Sequence, residues 1–199
     1  AGIIDKSQSA QAITLNGDAK SSTTQTKYLT SSMAFDGTGD YISIPADDSI
    51  FYKDYTIEFW MHPTQDTTLV MPFSKGVGLQ FYHQNGNIAA AISSSNNTTY
   101  FYHSNFGSIT TNAWSHISLV RDSSASTYKF YINGTLEDTL SSASNINAGS
   151  ADWIIGAFEL NPSSAGSYAF QGYMSDVRIT KGLARYTAAF TPPTAALKG

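Results

Sequence analysis

The chain has 199 residues, no cysteine and a net charge of −4, with 11 Lys and Arg against 15 Asp and Glu. A disulfide framework and a Cys-ligated metal site are therefore excluded, and without a basic stripe to neutralise phosphates no nucleic-acid partner is expected. No apolar run approaches the ~18 residues of a membrane span, so no membrane insertion is expected; the chain starts at Ala1 rather than Met, as expected of a processed product or a piece of a longer protein.

In chain order, short alternating runs separated by Gly, Asn, Asp and Ser predict strands near 32–35 and 41–44, then one short turn of helix near 46–50. Tyr55-Thr-Ile-Glu-Phe-Trp-Met-His62 predicts a strand with Tyr55, Ile57, Phe59 and Met61 on one face and Thr56, Glu58, Trp60 and His62 on the other. Pro63 ends it, because proline cannot donate to a ladder. A strand near 68–73 leads to a hairpin in which 81–84 and 87–92 flank Asn85-Gly86. A strand near 100–103 comes next, followed by the strong run Trp114-Ser-His-Ile-Ser-Leu-Val-Arg121. A second hairpin has 128–132 and 135–140 flanking Asn133-Gly134. Asn-Gly supplies the two positive φ angles of a type I′ turn, whose twist matches the strands beside it. Further strands are predicted near 153–158 and 168–180, with a second short helical turn near 182–186.

These elements give about a dozen strands and no linker long enough to separate two units. The expected architecture is one all-β domain over 1–199, a sandwich or a barrel, with Phe35, Ile57, Phe59, Trp114, Leu119, Phe130, Ile132, Ile155 and Val177 in its core.

Six local patterns then arrive in a telling order: Phe35-Asp-Gly-Thr-Gly-Asp-Tyr-Ile42, Tyr55-Thr-Ile-Glu-Phe-Trp60, Trp114-Ser-His-Ile-Ser-Leu-Val120, Phe130-Tyr-Ile-Asn-Gly134, Ile154-Ile-Gly156 and Phe170-Gln-Gly-Tyr-Met-Ser-Asp-Val-Arg-Ile179. Their order and spacing over 13–197 resemble the laminin-G-like members of the concanavalin A-like lectin/glucanase superfamily. The closing stretch Thr180-Lys-Gly-Leu-Ala-Arg-Tyr-Thr-Ala-Ala-Phe-Thr-Pro-Pro193 and the opening Asp5-Lys-Ser and Ile13-Thr-Leu-Asn-Gly17 look like versions found in bacteriophage structural proteins. The resemblance implies a jelly-roll sandwich of two curved antiparallel sheets. It also implies recognition or adhesion more often than glycoside hydrolysis, and fold alone does not choose between them.

The acids speak against catalysis. Retaining jelly-roll glucanases set carboxylates on alternate residues of one strand, which brings acid and nucleophile to about 5 Å. The three glutamates are Glu58, Glu137 and Glu159, and none has an acid two residues away. There is no Gly-x-Ser-x-Gly elbow, and the four histidines (His62, His83, His103 and His116) show no metal-binding spacing. His116 shares a face with Trp114, and the resemblance implies a packed structural histidine there.

Asp36-Gly-Thr-Gly-Asp40 offers two carboxylates and backbone carbonyls in a tight loop, the hard oxygen ligands that calcium prefers. The competing and preferred reading is a turn whose Asp side chains cap backbone N–H groups.

Sugars are recognised by stacking their C–H faces on aromatic rings while amides fix the hydroxyls. Tyr82, Asn85, Asn97, Tyr100 and Tyr102 supply that mixture on two neighbouring predicted strands and their loops, with His83, Asn96 and His103 close by in sequence. The plain alternative is that half of these rings fill sheet faces and the amides solvate loops. The expected function is a lectin-like, non-enzymatic adhesion module on a phage virion, in a tail, fibre or capsid-surface protein, at the virion surface or otherwise extracellular. Its partners would be glycans on host or environmental surfaces and other virion subunits. The alternatives are a structural decoration domain and a glycoside hydrolase.

Overall fold

The structure, a computed structural model, describes residues 2–95, 102–103 (backbone only), 107–158 and 168–198. Fifteen strands and one short 3-10 helix are found among them. The strands are β1 (Thr14–Asn16), β2 (Lys20–Ser22), β3 (Ser32–Asp36), β4 (Tyr41–Ile44), β5 (Tyr55–Pro63), β6 (Val70–Lys75), β7 (Leu79–Gln84) and β8 (Asn87–Ile92). After them come β9 (Tyr102–His103), β10 (Gly107–Ser108), β11 (Ser115–Asp122), β12 (Thr127–Ile132), β13 (Thr135–Ser141), β14 (Trp153–Ile155) and β15 (Gln171–Lys181). They form two antiparallel sheets: eight strands in the order β1-β4-β14-β6-β7-β8-β10, with β9 also on β8, and seven in the order β13-β12-β11-β5-β15-β3-β2. The all-β sandwich read from the sequence is the observed architecture.

Register decides what lies between the sheets. Ile117 pairs with Phe59 and Leu119 with Ile57, so one side-chain parity of β5 and β11 points inward. Phe59 stacks on Phe73 of the opposite sheet at 5.6 Å between ring centroids, and Phe81 meets Phe59 edge-on at 5.2 Å. Of the expected core, Phe35, Ile57, Phe59, Leu119, Phe130, Ile132 and Ile155 are buried, and Val177 is partly buried against them. Trp114 is a correction. It has the parity of His116, which puts it half-buried on the outer face of the seven-stranded sheet, edge-on to His62 at 5.3 Å.

Both Asn-Gly pairs form the expected turns, with φ of 52° and 69° at Asn85 and Gly86, and 49° and 78° at Asn133 and Gly134. The first helical turn is found as the 3-10 helix Asp48–Tyr52, where the Asp47 carboxylate accepts the Ser49 N–H at 2.9 Å. The second, near 182–186, is not helical. That segment runs extended across the outer face of the seven-stranded sheet because the sheet satisfies its backbone. Thr56 donates its hydroxyl to the Leu183 carbonyl at 2.9 Å and accepts the Arg185 N–H at 2.9 Å, and the Phe190 N–H reaches the Gly134 carbonyl at 2.9 Å.

Candidate functional site

On the eight-stranded sheet, Phe81 of β7 belongs to the core, so Gln80, Tyr82 and Gln84 alternate onto the outer face. Tyr82 is half-buried and packs against a small apolar cluster of Met71, Val77 and Phe158. Its hydroxyl bonds the Gln80 side chain. The Phe158 ring meets the Tyr168 ring edge-on at 6.2 Å, and Tyr168 is 49% exposed. Its carbonyl accepts the Met71 N–H at 2.9 Å, which ties the Tyr168 backbone to β6. The hairpin that carries Tyr82 also carries amides. Asn85 is exposed at the hairpin tip, and its backbone N–H donates to the Asp66 carbonyl at 2.5 Å. The Asn87 amide donates to the Asn85 carbonyl at 2.8 Å.

Of the residues expected at a glycan site, Tyr82 and Asn85 therefore share one hairpin. Tyr102 lies on β9 in register with Ile92, whereas Tyr82 pairs with Ala89 three positions away along β8. Asn97 and Tyr100 lie outside the described residues. Phe158 and Tyr168 had no local signal in sequence. They reach Tyr82 only through the order of strands in the sheet.

The outer face of the other sheet is closed chemically. Glu58 has a fully buried side chain. One carboxylate oxygen accepts His116 Nε2 at 3.0 Å and the Tyr186 hydroxyl at 2.8 Å. The other takes Arg178 Nε at 2.9 Å and Nη2 at 2.7 Å. Burial alone would raise this acid, but the bonds from His116, Arg178 and Tyr186 outweigh it and hold Glu58 below its ordinary 4.5. The Tyr186 ring lies flat on Phe190 at 3.6 Å, and both meet His116 edge-on. His116 is thus a packed bracket between sheet and tail. His83 is also fully buried, with no hydrogen-bond partner for either ring nitrogen among the described residues, and burial lowers its pKa against the pull of Asp66.

At the rim, the two oxygens of Asp40 accept the N–H groups of Asp18 at 2.5 Å and Asp36 at 2.9 Å. Asp36 in turn accepts the Thr38 N–H at 2.7 Å. Asp18, Asp36 and Asp40 share a surface dent of about 260 Å³ with Gln171 and Tyr173. Among the described residues no group of three or more His, Cys, Asp or Glu is placed to hold a metal ion.

Residues 36–184, well over half of the chain, match the family model described as the concanavalin A-like lectin/glucanases superfamily. No curated protein matches the chain. Among solved structures, the botulinum neurotoxin serotype D binding domain superposes with a TM-score of 0.66 at 15% identity, covering 89% of this chain and 45% of that one. The chain thus spans less than half of the toxin domain's length. Domain 4 of AbnA, a GH43 extracellular arabinanase from Geobacillus stearothermophilus solved with arabinotriose, gives 0.63 at 20% identity, covering 87% of this chain and 82% of that one. The CBM40 of the Ruminococcus gnavus IT-sialidase, solved with α2,3 sialyllactose, gives 0.51 at 16%, covering 65% and 74%. At such identities the likeness is one of fold.

Proposed function

This chain belongs to the concanavalin A-like lectin/glucanases superfamily, and from that premise we propose that it is a non-catalytic carbohydrate-binding module carried in many copies on a phage virion. The observation that carries the reading is the aromatic patch of Tyr82, Phe158 and Tyr168 on the outer face of the eight-stranded sheet, with Gln84, Asn85 and Asn87 on the same hairpin as Tyr82. A half-exposed ring stacks a sugar's C–H face, and neighbouring amides fix its hydroxyls. Asn97, Tyr100 and Tyr102 are proposed as further ligand-binding residues on the strength of their residue types alone. Two relatives in fold were solved with bound oligosaccharides, which supports the class of ligand.

The chemistry of Glu58 supports a binding role over a hydrolytic one. A general acid needs a proton to give and an open path to the glycosidic oxygen. Glu58 has a lowered pKa, no exposed side-chain surface, and both oxygens occupied by donors.

Stacking on one ring contributes only about 1 kcal/mol beyond buried area, so a single site binds weakly. Linking many copies raises avidity by about 10²–10⁴ without new contacts. A virion surface, where other subunits hold the copies in place, provides that linkage, and the tail at 180–193 resembles phage structural proteins.

The test is a glycan array probed with the protein on a tetravalent carrier, beside Tyr168→Ala. The variant is expected to lose retention while its thermal midpoint stays within a degree or two of wild type, since a half-exposed ring adds little to stability. Full retention by the variant, or no glycan retained by wild type, would overturn the reading.

A further inference from the structure

His83 is the last core-facing residue of β7. It has the parity of Phe81 and lies in register with Val70 of β6 and Ile88 of β8, both core residues. The residue is fully buried, and neither ring nitrogen has a hydrogen-bond partner among the described residues. Buried polar groups in native proteins are nearly always bonded, so this exception calls for a reason. A neutral imidazole tolerates such a place. A cation there loses its hydration and gains no acceptor in return.

Three segments are tied together at this end of the sheet: 64–69, the hairpin tip 85–86, and 109–112. The Asn85 N–H donates to the Asp66 carbonyl at 2.5 Å, the Ile109 N–H to the Gly86 carbonyl at 2.9 Å and the Asn112 N–H to the Pro63 carbonyl at 2.7 Å. The Thr111 hydroxyl completes the clasp on the Asp66 carboxylate at 2.7 Å. Asp66, Gly86 and Thr111 are half-buried, and Thr64, Thr67, Thr68 and Asn112 are exposed. These four bonds join loops to a hairpin tip and a strand end, so the clasp can part without breaking a strand ladder.

The charges around the ring are few. Asp66 acts on His83 from the first segment, and 64–69, β7, β8 and 109–112 hold no further charged residue. Lys75 lies at the far end of β6, paired with Asp48. From the opposite sheet, Glu137 lies against Gly107 of β10, two strands away from His83. Burial lowers the ring's pKa against the pull of Asp66, so the closed clasp excludes a proton that an exposed histidine takes up near its ordinary 6.5.

We propose that His83 is an acid switch: on taking up a proton it opens the clasp of 64–69, 85–86 and 109–112 while the rest of the sandwich stays folded. In the open state water reaches the ring, and the Asp66 carboxylate, released by Thr111, pairs with the cation. The proposal concerns the fold and does not rest on the glycan reading.

The test is amide hydrogen exchange by NMR on the intact chain between about pH 8 and about pH 5, corrected for the intrinsic pH dependence of exchange. The amides of Asn85, Ile109 and Asn112 are the readout, because they are the clasp's own donors. Ile117 and Leu119 of β11 serve as the reference. Opening takes up one proton, so protection of the clasp amides should be level above about pH 7 and fall by up to about tenfold per pH unit below about pH 6.5. The reference amides should hold. His62 and His116 lie on the outer face of the other sheet, so His83→Leu should leave the clasp amides level over the whole range. If that variant does not fold, the wild-type profile decides alone. A level wild-type profile, an equal loss at Ile117 and Leu119, or an unchanged pH dependence in His83→Leu would overturn the proposal.

Discussion

Two glycines in matching turns differ in what a side chain would meet. Both Gly86 and Gly134 hold positive φ, which costs an L-residue about 1–2 kcal/mol. A Cβ on Gly86 would find its nearest atom at 3.5 Å, but on Gly134 it would lie 1.8 Å from the Phe190 carbonyl oxygen. Gly86→Ala should therefore cost about 1–2 kcal/mol in urea unfolding, and Gly134→Ala about 1–3 kcal/mol more, from overpacking of the tail. Equal losses would mean that the tail does not seat on the turn. The turn itself was legible from Asn-Gly. Its second duty, seating residue 190, was not, since that contact spans more than fifty residues of chain.

Buried titratable groups set the pH dependence. His83 has a folded pKa below 6.5 because burial disfavours its cation, so the unfolded chain binds a proton first and stability falls as pH drops below that value. Glu58 has a folded pKa below 4.5. Its contribution is complete above that pH and is lost as pH falls through the folded value. Urea midpoints should thus decline in two steps between about pH 8 and about pH 3. His83→Leu is expected to remove the upper step. Glu58→Gln is expected to remove the lower one while costing about 3–5 kcal/mol near neutrality, because Arg178 is left unpaired. A single step unaffected by either change would contradict these assignments. At the rim, the Asp36 and Asp40 side chains are engaged as turn clasps, so the thermal midpoint should be the same in EDTA as in excess calcium. A rise of several degrees with calcium would assign the turn to a cation instead.

At the scale of elements, period-2 patterning located most strands, and β5 shows its limit. Alternation placed Ile57 and Phe59 on one face and Glu58, Trp60 and His62 on the other, yet every residue of β5 is buried. Alternation reports two faces and leaves open what covers the second. Here the tail covers Thr56 and Glu58, Tyr28 and Lys27 lie on Trp60, and Trp114 and Tyr173 meet His62. The start of that tail, 182–186, reads as a short helical turn because Ala, Leu and Arg favour one locally. Hydrogen bonds with Thr56, and those that Glu58 and the Gly134 carbonyl accept from Tyr186 and Phe190, override that preference. Trp114 was misplaced for the related reason that a large aromatic ring signals burial without saying on which face. Phe59→Ala, which empties the space shared with Phe73 and Phe81, should cost about 3–5 kcal/mol by chemical denaturation. A loss under about 1 kcal/mol would show that the sheets do not pack there.

For the whole molecule, the sandwich presents three different surfaces. The tail covers part of one sheet face, the segment 2–13 packs on one edge through Ile3 and Ile13, and the outer face of the other sheet carries Tyr82, Phe158 and Tyr168. Composition and strand pattern were enough to read an all-β fold, with two hairpins marked by their own Asn-Gly turns, and its lectin-like form came from the resemblance of six ordered patterns. The site was half legible: Tyr82 and Asn85 share a hairpin, but Phe158 and Tyr168 join them only through strand order, which no local window contains. Amide chemical-shift mapping with the glycan retained most strongly on the array tests the placement most directly. The account predicts shifts concentrated at Met71, Val77, residues 82–87, Phe158 and Tyr168. Shifts confined to the turn at 36–40 or to the tail at 183–190, with those residues unmoved, would contradict it.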